Sequence, residues 1–167
     1  MKEARLRLLG RSRPWRLPPG AYRPQAVAKR IELAAEVEPG IEPVELDPDR
    51  VRQVLSNLLG NALFHTPAGG RIAVRGDATP TGVRLTVQDS GPGFPPEDMA
   101  RVFDRFYRSD NARRREDGGS GLGLTIARSI VEAHGGTIEA QNTPGEGAAI
   151  IIELARLTPS ARSPGEG

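Results

Sequence analysis

Gly118-Gly119-Ser120-Gly121-Leu122-Gly123-Leu124 is followed at once by a helical pattern, and the reading of this stretch decides the fold. Glycines at the alternate positions 119, 121 and 123 let the backbone approach a bulky ligand, because no Cβ stands in the way. A helix starting there aims free N–H groups and its positive dipole end at an anion, most naturally a phosphate. The same composition also suits a plain flexible loop. The flanking chain has to decide between them.

Downstream, the periodicity predicts a helix over about 122–133, with His134 in its last turn at the negative dipole end and Gly135 as a left-handed cap. His134 therefore reads as structural rather than catalytic. Thr137–Ala140 and Ala148–Leu154 read as strands around a Thr143-Pro144-Gly145-Glu146-Gly147 turn, and residues 156–167 as a disordered tail. Immediately upstream, Ser109 to Gly119 is polar and long, which predicts a mobile loop; Arg113-Arg114-Arg115 within it is a solvated charge run.

Further upstream, Asp47-Pro48-Asp49 is a strong helix start: a capping carboxylate, Pro at the first helical position, and a second acid near the positive end. Val51, Val54, Leu55, Leu58, Leu59 and Ala62 follow as one apolar stripe, ended by Pro67 and Gly69-Gly70. Asn57 and Asn61 stand one turn apart on the flank of that stripe, where core meets solvent. Two amides at such a lip can ligate a hard cation or bond phosphate oxygens, or simply face water. Strands are predicted at about Ile31–Val37, Arg71–Arg75 and Val83–Asp89, the last two joined by Thr79-Pro80-Thr81-Gly82. Asp89 shares strand parity with Val83, Leu85 and Val87, so its carboxylate points to the buried face and needs a partner. Local turn N–H groups or a ligand donor such as the exocyclic amine of adenine would serve. Pro95-Pro96-Glu97-Asp98 starts a short helix through about Phe103, and Phe103 and Phe106, three apart, share a face expected to lie in the core.

Composition bounds these readings. The chain has 167 residues, enough for one ordinary domain, and 37% hydrophobic with 26% charged residues suits a soluble globular protein. A net charge of +2 gives no global case for nucleic-acid binding. Lys2 and Lys29 are the two lysines, so any phosphate contact beyond Lys29 falls to arginine or to backbone N–H groups. There is no cysteine, which excludes thiolate metal sites and agrees with a reducing cytosol. No apolar run approaches a membrane span, so the chain is expected to be cytoplasmic, with any link to a membrane-associated system made through other segments. Residues 1–24, rich in arginine, read as a basic flexible arm, and 25–155 as the folded domain. The elements add up to a two-layer α/β (α+β) sandwich: one mixed, mostly antiparallel sheet of about five strands, covered on one face by about three helices. A Walker-type Gly-x4-Gly-Lys is lacking, which rules out a P-loop fold.

In order, these pieces resemble the ATP-binding catalytic domain of bacterial sensor histidine kinases, in the superfamily shared with gyrase, heat-shock protein ninety and MutL. Asp49-x-x-Arg52-Gln53-Val54-Leu55-x-Asn57-Leu58-Leu59-x-Asn61-Ala62 is similar to the family's N box, and Asp89-Ser90-Gly91-Pro92-Gly93 to its first glycine box. Pro96-Glu97-Asp98-x-x-Arg101-Val102-Phe103-Asp104-Arg105-Phe106-Tyr107-Arg108 resembles the F box, and Gly119–Leu124 the second glycine box. The resemblance covers roughly 25–155 and implies the Bergerat-type fold, with ATP and Mg²⁺ as ligands. Asn61, with Asn57 as a second candidate, would hold Mg²⁺ and the triphosphate, and Asp89 would accept from the adenine amine. Gly91 and Gly93 would admit the base. Gly119, Ser120, Gly121, Leu122, Gly123 and Leu124 would wrap the phosphates. His65, Phe103, Phe106 and Tyr107 would line the nucleotide site, and Arg108 would clamp the terminal phosphate as a catalytic residue beside Asn61. Residues between the F box and Gly121 would form an ATP lid.

Two departures qualify the match. Where the family often carries Lys or Arg three residues after the second Asn, this chain has Phe64, followed by His65. The family's phosphorylated His lies in a separate dimerising hairpin, and no such segment is recognised in these 167 residues. The resemblance thus implies a kinase module acting on a histidine of another segment or chain and, through it, on a response regulator. An orphan docking module with little phosphotransfer and a serine kinase of the anti-sigma type are the alternatives.

Overall fold

The computed structural model describes residues 22–39, 41, 47–107, 121–143 and 145–155. These form α1 (Tyr22–Ala28), β1 (Glu32–Val37), α2 (Pro48–His65), β2 (Arg71–Thr79), β3 (Gly82–Asp89), a 3₁₀ helix (Pro96–Arg101), α3 (Gly123–Ala133), β4 (Thr137–Thr143) and β5 (Gly147–Ala155). One sheet runs in the order β1-β2-β3-β5-β4, with β1 parallel to β2 and every other pair antiparallel. The mixed, mostly antiparallel sheet read from the sequence is the one observed. No helix among the described residues is long and apolar enough to cross a membrane.

Alternation fixes the sheet's register. Val74 lies opposite Val87, Val87 opposite Ile150, and Leu85 opposite Ile152, so one face carries a continuous apolar row. The helices cover that face. Leu58, Leu59 and Leu63 of α2 and Ala127 and Val131 of α3 are buried against it, each leucine contributing about 2 kcal/mol of transfer free energy. The other face carries polar pairs such as Arg84–Glu153, half exposed and worth at most about 1 kcal/mol. β2 runs to Thr79, past the expected end at Arg75. Gly76 breaks the apolar alternation in sequence, yet it continues the strand, paired with Val37 of β1 on one side and Leu85 of β3 on the other.

The start of α2 follows its sequence signal, with Asp47 Oδ1 accepting from the N–H groups of Asp49 (2.9 Å) and Arg50 (3.2 Å). Its other end holds a correction. Lys29, left open above as a phosphate ligand, donates from Nζ to Leu63 O (2.7 Å) and Thr66 O (3.3 Å). The ammonium thus closes the carbonyl end of α2, where the dipole is negative. α1 begins at Tyr22, inside the stretch read as a flexible arm, and buries Tyr22 and Ala26. Pro24 lies in the first turn, where its missing N–H costs nothing. The remainder of the expected arm and the expected tail lie outside the described residues.

Phe103 and Phe106 do not share a core face. After the 3₁₀ helix, Asp104 N–H bonds to Arg101 O and Tyr107 N–H to Asp104 O, so tight turns replace the α-helical ladder. Phe103 and Tyr107 pack against the core, while Phe106 takes φ +61° and is 69% exposed.

Candidate nucleotide site

Three segments meet at one end of the helix–sheet interface. α2 contributes Asn57, Asn61 and His65, the last two half-buried beside the fully buried Leu59 and Leu63. β3 ends on Asp89, whose Cα partner across the ladder is Ile72. The N-terminus of α3 lies against α2: a Cβ at Gly123 would stand 3.8 Å from both Cβ and the carbonyl oxygen of Asn57. The loop after β3 touches the end of α2, because a Cβ at Gly91 would come within 2.8 Å of His65 O. Gly91 of the first glycine box and Gly123 of the second therefore both approach the helix that carries the N box. His65 itself packs edge-on against Phe64, ring centroids 5.0 Å apart.

Asp89 is 6% exposed. Among described residues, the hydrogen bonds to its carboxylate both fall on Oδ1, from Gly91 N–H (2.8 Å) and more weakly from Ala148 N–H (3.5 Å). Burial pushes the carboxyl above its ordinary range, and those two N–H bonds only partly oppose it. The geometry joins the two partners foreseen for this carboxylate: turn N–H groups take one oxygen, and Oδ2 remains for an additional donor. Gly147 has φ +92°, and the space a Cβ would fill there holds Asp89 O and the backbone of Gly91. Only glycine fits that crossing.

Two further features suit a polyanionic ligand. Asn57 Nδ2 is buried with no hydrogen-bond partner among the described residues, a donor whose desolvation remains uncompensated. The adjacent start of α3 has no side-chain cap among the described residues, and free N–H groups of that kind suit an anion. No group of three or more His, Asp and Glu suited to hold a metal ion occurs among the described residues. A cation here would thus be held by amide oxygens together with a ligand's own phosphate oxygens.

Of the remaining expected residues, Gly121 (φ +69°) meets the F-box end: its Cβ position would lie 2.9 Å from Tyr107 O and 3.1 Å from Phe106 C. The two ends of the expected lid are therefore in contact. Arg108, Gly119 and Ser120, with the lid between, lie outside the described residues. Leu124 is buried in the core, so any part it has in a ligand site rests on its backbone N–H. Gly93 takes φ +78° in the loop after Asp89. Phe106 and Leu122 line an open groove of about 550 Å³ between α2 and α3, with Gln53, Ile126 and His134; Asn61, Asp89 and Gly91 are not part of it. His134 Nδ1 lies 2.8 Å from Ile130 O at the end of α3.

Sequence reasoning missed the residues that hold the cleft together. Thr125 Oγ1 donates to Phe103 O (2.9 Å), tying the F box to α3. Gln88 Nε2 donates to Asp89 O (3.2 Å) and Glu146 O (3.1 Å). Asn142 bonds the backbone of Phe94 at both its amide atoms. None of the three left a sequence signal, whereas Gly147 beside them did, as the second glycine of a turn.

An open mixed sheet under three helices, with a buried carboxylate at the end of β3 and a helix start against Asn57, defines a two-layer sandwich domain. Residues 46–158 match the family described as histidine kinase-, DNA gyrase B-, and HSP90-like ATPase. The chain is similar to the sensor histidine kinase WalK of Bacillus subtilis, 45% identical over 113 residues, covering 66% of this chain and 18% of that protein. It is also similar to the signal transduction histidine-protein kinase BaeS of Escherichia coli, 40% identical over 135 residues, covering 81% and 29%. It spans less than a third of either relative. Among solved structures, the catalytic domain of histidine kinase ThkA superposes with a TM-score of 0.70 at 32% identity, over 81% of this chain and 85% of that one. Full-length ShkA in complex with AMPPNP gives 0.69 at 34% identity, over 81% and 28%. ThkA in complex with the response regulator protein TrrA gives 0.67 at 31%, over 84% and 38%. The chain belongs to the histidine kinase-, gyrase B- and HSP90-like ATPase family, and its relatives place it with the ATP-binding catalytic domains of two-component sensor kinases.

Proposed function

We propose that this domain binds ATP with Mg²⁺ and presents the γ-phosphoryl group to a histidine on a dimerising helical hairpin outside these 167 residues, which in turn serves a response regulator in the cytoplasm. The observation that carries the proposal is the buried Asp89 carboxylate, bonded on one oxygen only to the glycine loop that follows it, and it is supported by the unpartnered Asn57 amide beside the start of α3. Asp89 Oδ2 accepts from the exocyclic amine of adenine, and Gly91 and Gly93 leave room for the base. Asn57, Asn61 and the first N–H groups of α3 hold the triphosphate. These residues fit the nucleotide. Asn61 would help to hold Mg²⁺, which would supply neutralisation of the phosphate charge.

In the transfer, an imidazole nitrogen of the hairpin attacks the γ-phosphorus, an N–P bond forms, and the bond to the bridging oxygen breaks, releasing ADP. The imidazole proton passes to an acid of the hairpin acting as general base. Within this chain the work is orientation and charge stabilisation, with Arg108 proposed as the clamp on the transferring group. The exposed Phe106 and its groove give the hairpin an apolar surface beside the site. Incubation with candidate histidine-containing hairpins and γ-labelled ATP tests the proposal. Acid-labile label on a hairpin is expected; tight ATP binding without transfer to any hairpin would favour a docking module instead.

A further inference from the structure

We propose that Asn142, on the edge strand β4, is a positioning residue for the base-binding loop, a role that rests on the reading of Asp89 as the adenine acceptor. Its side-chain amide pairs with the backbone of Phe94: Oδ1 accepts from Phe94 N–H at 2.8 Å, and Nδ2 donates to Phe94 O at 2.7 Å. The two bonds reproduce a rung of a β-ladder across 48 residues of sequence and satisfy donor and acceptor together.

The loop held this way is the one the base must enter. Phe94 follows Gly93, which has φ +78°, and a Cβ on Gly93 would lie 2.8 Å from Asn142 Oδ1. The amide thus occupies the space that only glycine leaves free. The neighbouring β4–β5 hairpin grips the other end of the loop. Gln88 Nε2 bridges Asp89 O and Glu146 O, Ala148 N–H reaches Asp89 Oδ1, and Gly147 lies directly on the backbone of Asp89 and Gly91. Asn142 is itself exposed and outside the apolar core. Its bonds therefore contribute little to the core and act mainly on the loop. Fixing Gly91 to Phe94 keeps the Asp89 carboxylate and the floor of the cleft in register before ligand arrives, which lowers the ordering cost of binding.

The test uses Asn142→Ala in the full chain, well below its melting temperature. The expected result is faster amide exchange at Phe94, a loss of about three- to tenfold in calorimetric affinity for both ATP and ADP, and a small change in Tm. Equal loss for the two ligands places the effect at the base rather than at the γ-phosphate. Asn142→Asp keeps the acceptor toward Phe94 N–H but sets a carboxylate against Phe94 O, so at constant volume it should lose affinity too. Unchanged ATP affinity in both variants, beside an Asp89→Asn variant that no longer binds, would overturn the positioning role and leave the adenine site standing. Unchanged affinity in all three would overturn both.

Discussion

The carboxylate of Asp89 and the backbone N–H of Gly91 are joined by a 2.8 Å hydrogen bond at the point where β3 leaves the sheet. That bond orients one carboxylate oxygen toward the protein while the group as a whole stays buried at 6% exposure. A chain that needed only a turn here would be served by a neutral amide. Keeping a charge in this place has a cost, and the cost is measurable.

Burial holds the Asp89 carboxyl above its ordinary value, with the Gly91 and Ala148 N–H groups pulling the other way. A folded-state value above the unfolded one means that the fold binds this proton more readily. The group's contribution to stability is therefore largest at low pH and is lost as pH rises from the unfolded value through the raised folded one. Asp89→Asn keeps an acceptor for Gly91 N–H and removes the charge. The variant is expected to melt at or above the parent at about pH 7, with the difference shrinking toward about pH 4. A variant clearly less stable than the parent at neutral pH would contradict this account of the site.

Asn61 is proposed to act on the metal–phosphate end of the ligand. Asn61→Ala is expected to weaken ATP binding about tenfold with Mg²⁺ present and much less in EDTA, as removal of one charge-assisted contact implies. Equal losses in both conditions, measured by calorimetry, would remove Asn61 from the metal's surroundings.

Lys29 closes the carbonyl end of α2 through Leu63 O and Thr66 O. Replacing it by Met keeps the aliphatic stem and deletes the donors, at a cost of about 1–3 kcal/mol. Urea denaturation should show that loss, with ATP affinity of the folded protein little changed. A large fall in affinity without loss of stability would mean that Lys29 meets phosphate after all.

Phe106, 69% exposed in a left-handed conformation, is expected to serve the partner rather than the nucleotide. Phe106→Ser should leave ATP affinity within about twofold while transfer to an acceptor hairpin falls by about tenfold or more, in line with the loss of an apolar anchor. A matching loss of ATP affinity would return Phe106 to the nucleotide site.

Most of the fold was legible because its signals are local. Asp47-Pro48-Asp49 announces α2 through capping chemistry, and the alternation of Val83, Leu85 and Val87 carries Asp89 inward, as observed. The order of four boxes then favours the phosphate-cradle reading of an ambiguous glycine stretch, a role that stands as a proposal. What stayed hidden depends on contacts between distant segments. Nothing near Lys29 in sequence says that its ammonium will meet carbonyls more than 30 residues away. Nothing marks Asn142 as the partner of Phe94. The face assigned to Phe106 failed for a different reason: the i, i+3 rule assumes an α-helix, and the chain turns tightly after Arg101. Arg108, Gly119 and Ser120 keep the roles that the resemblance implies for them as proposals.

The adenine contact is the centre of the account, and one titration reaches it directly. Calorimetric titration of ATP into the parent and into Asp89→Asn, at neutral pH with Mg²⁺, compares a charged acceptor with a neutral isostere. A charge-assisted hydrogen bond is worth about 1.5–3 kcal/mol, so the account predicts a loss of at least about tenfold in affinity from a variant that stays folded. Affinity equal to that of the parent would contradict it.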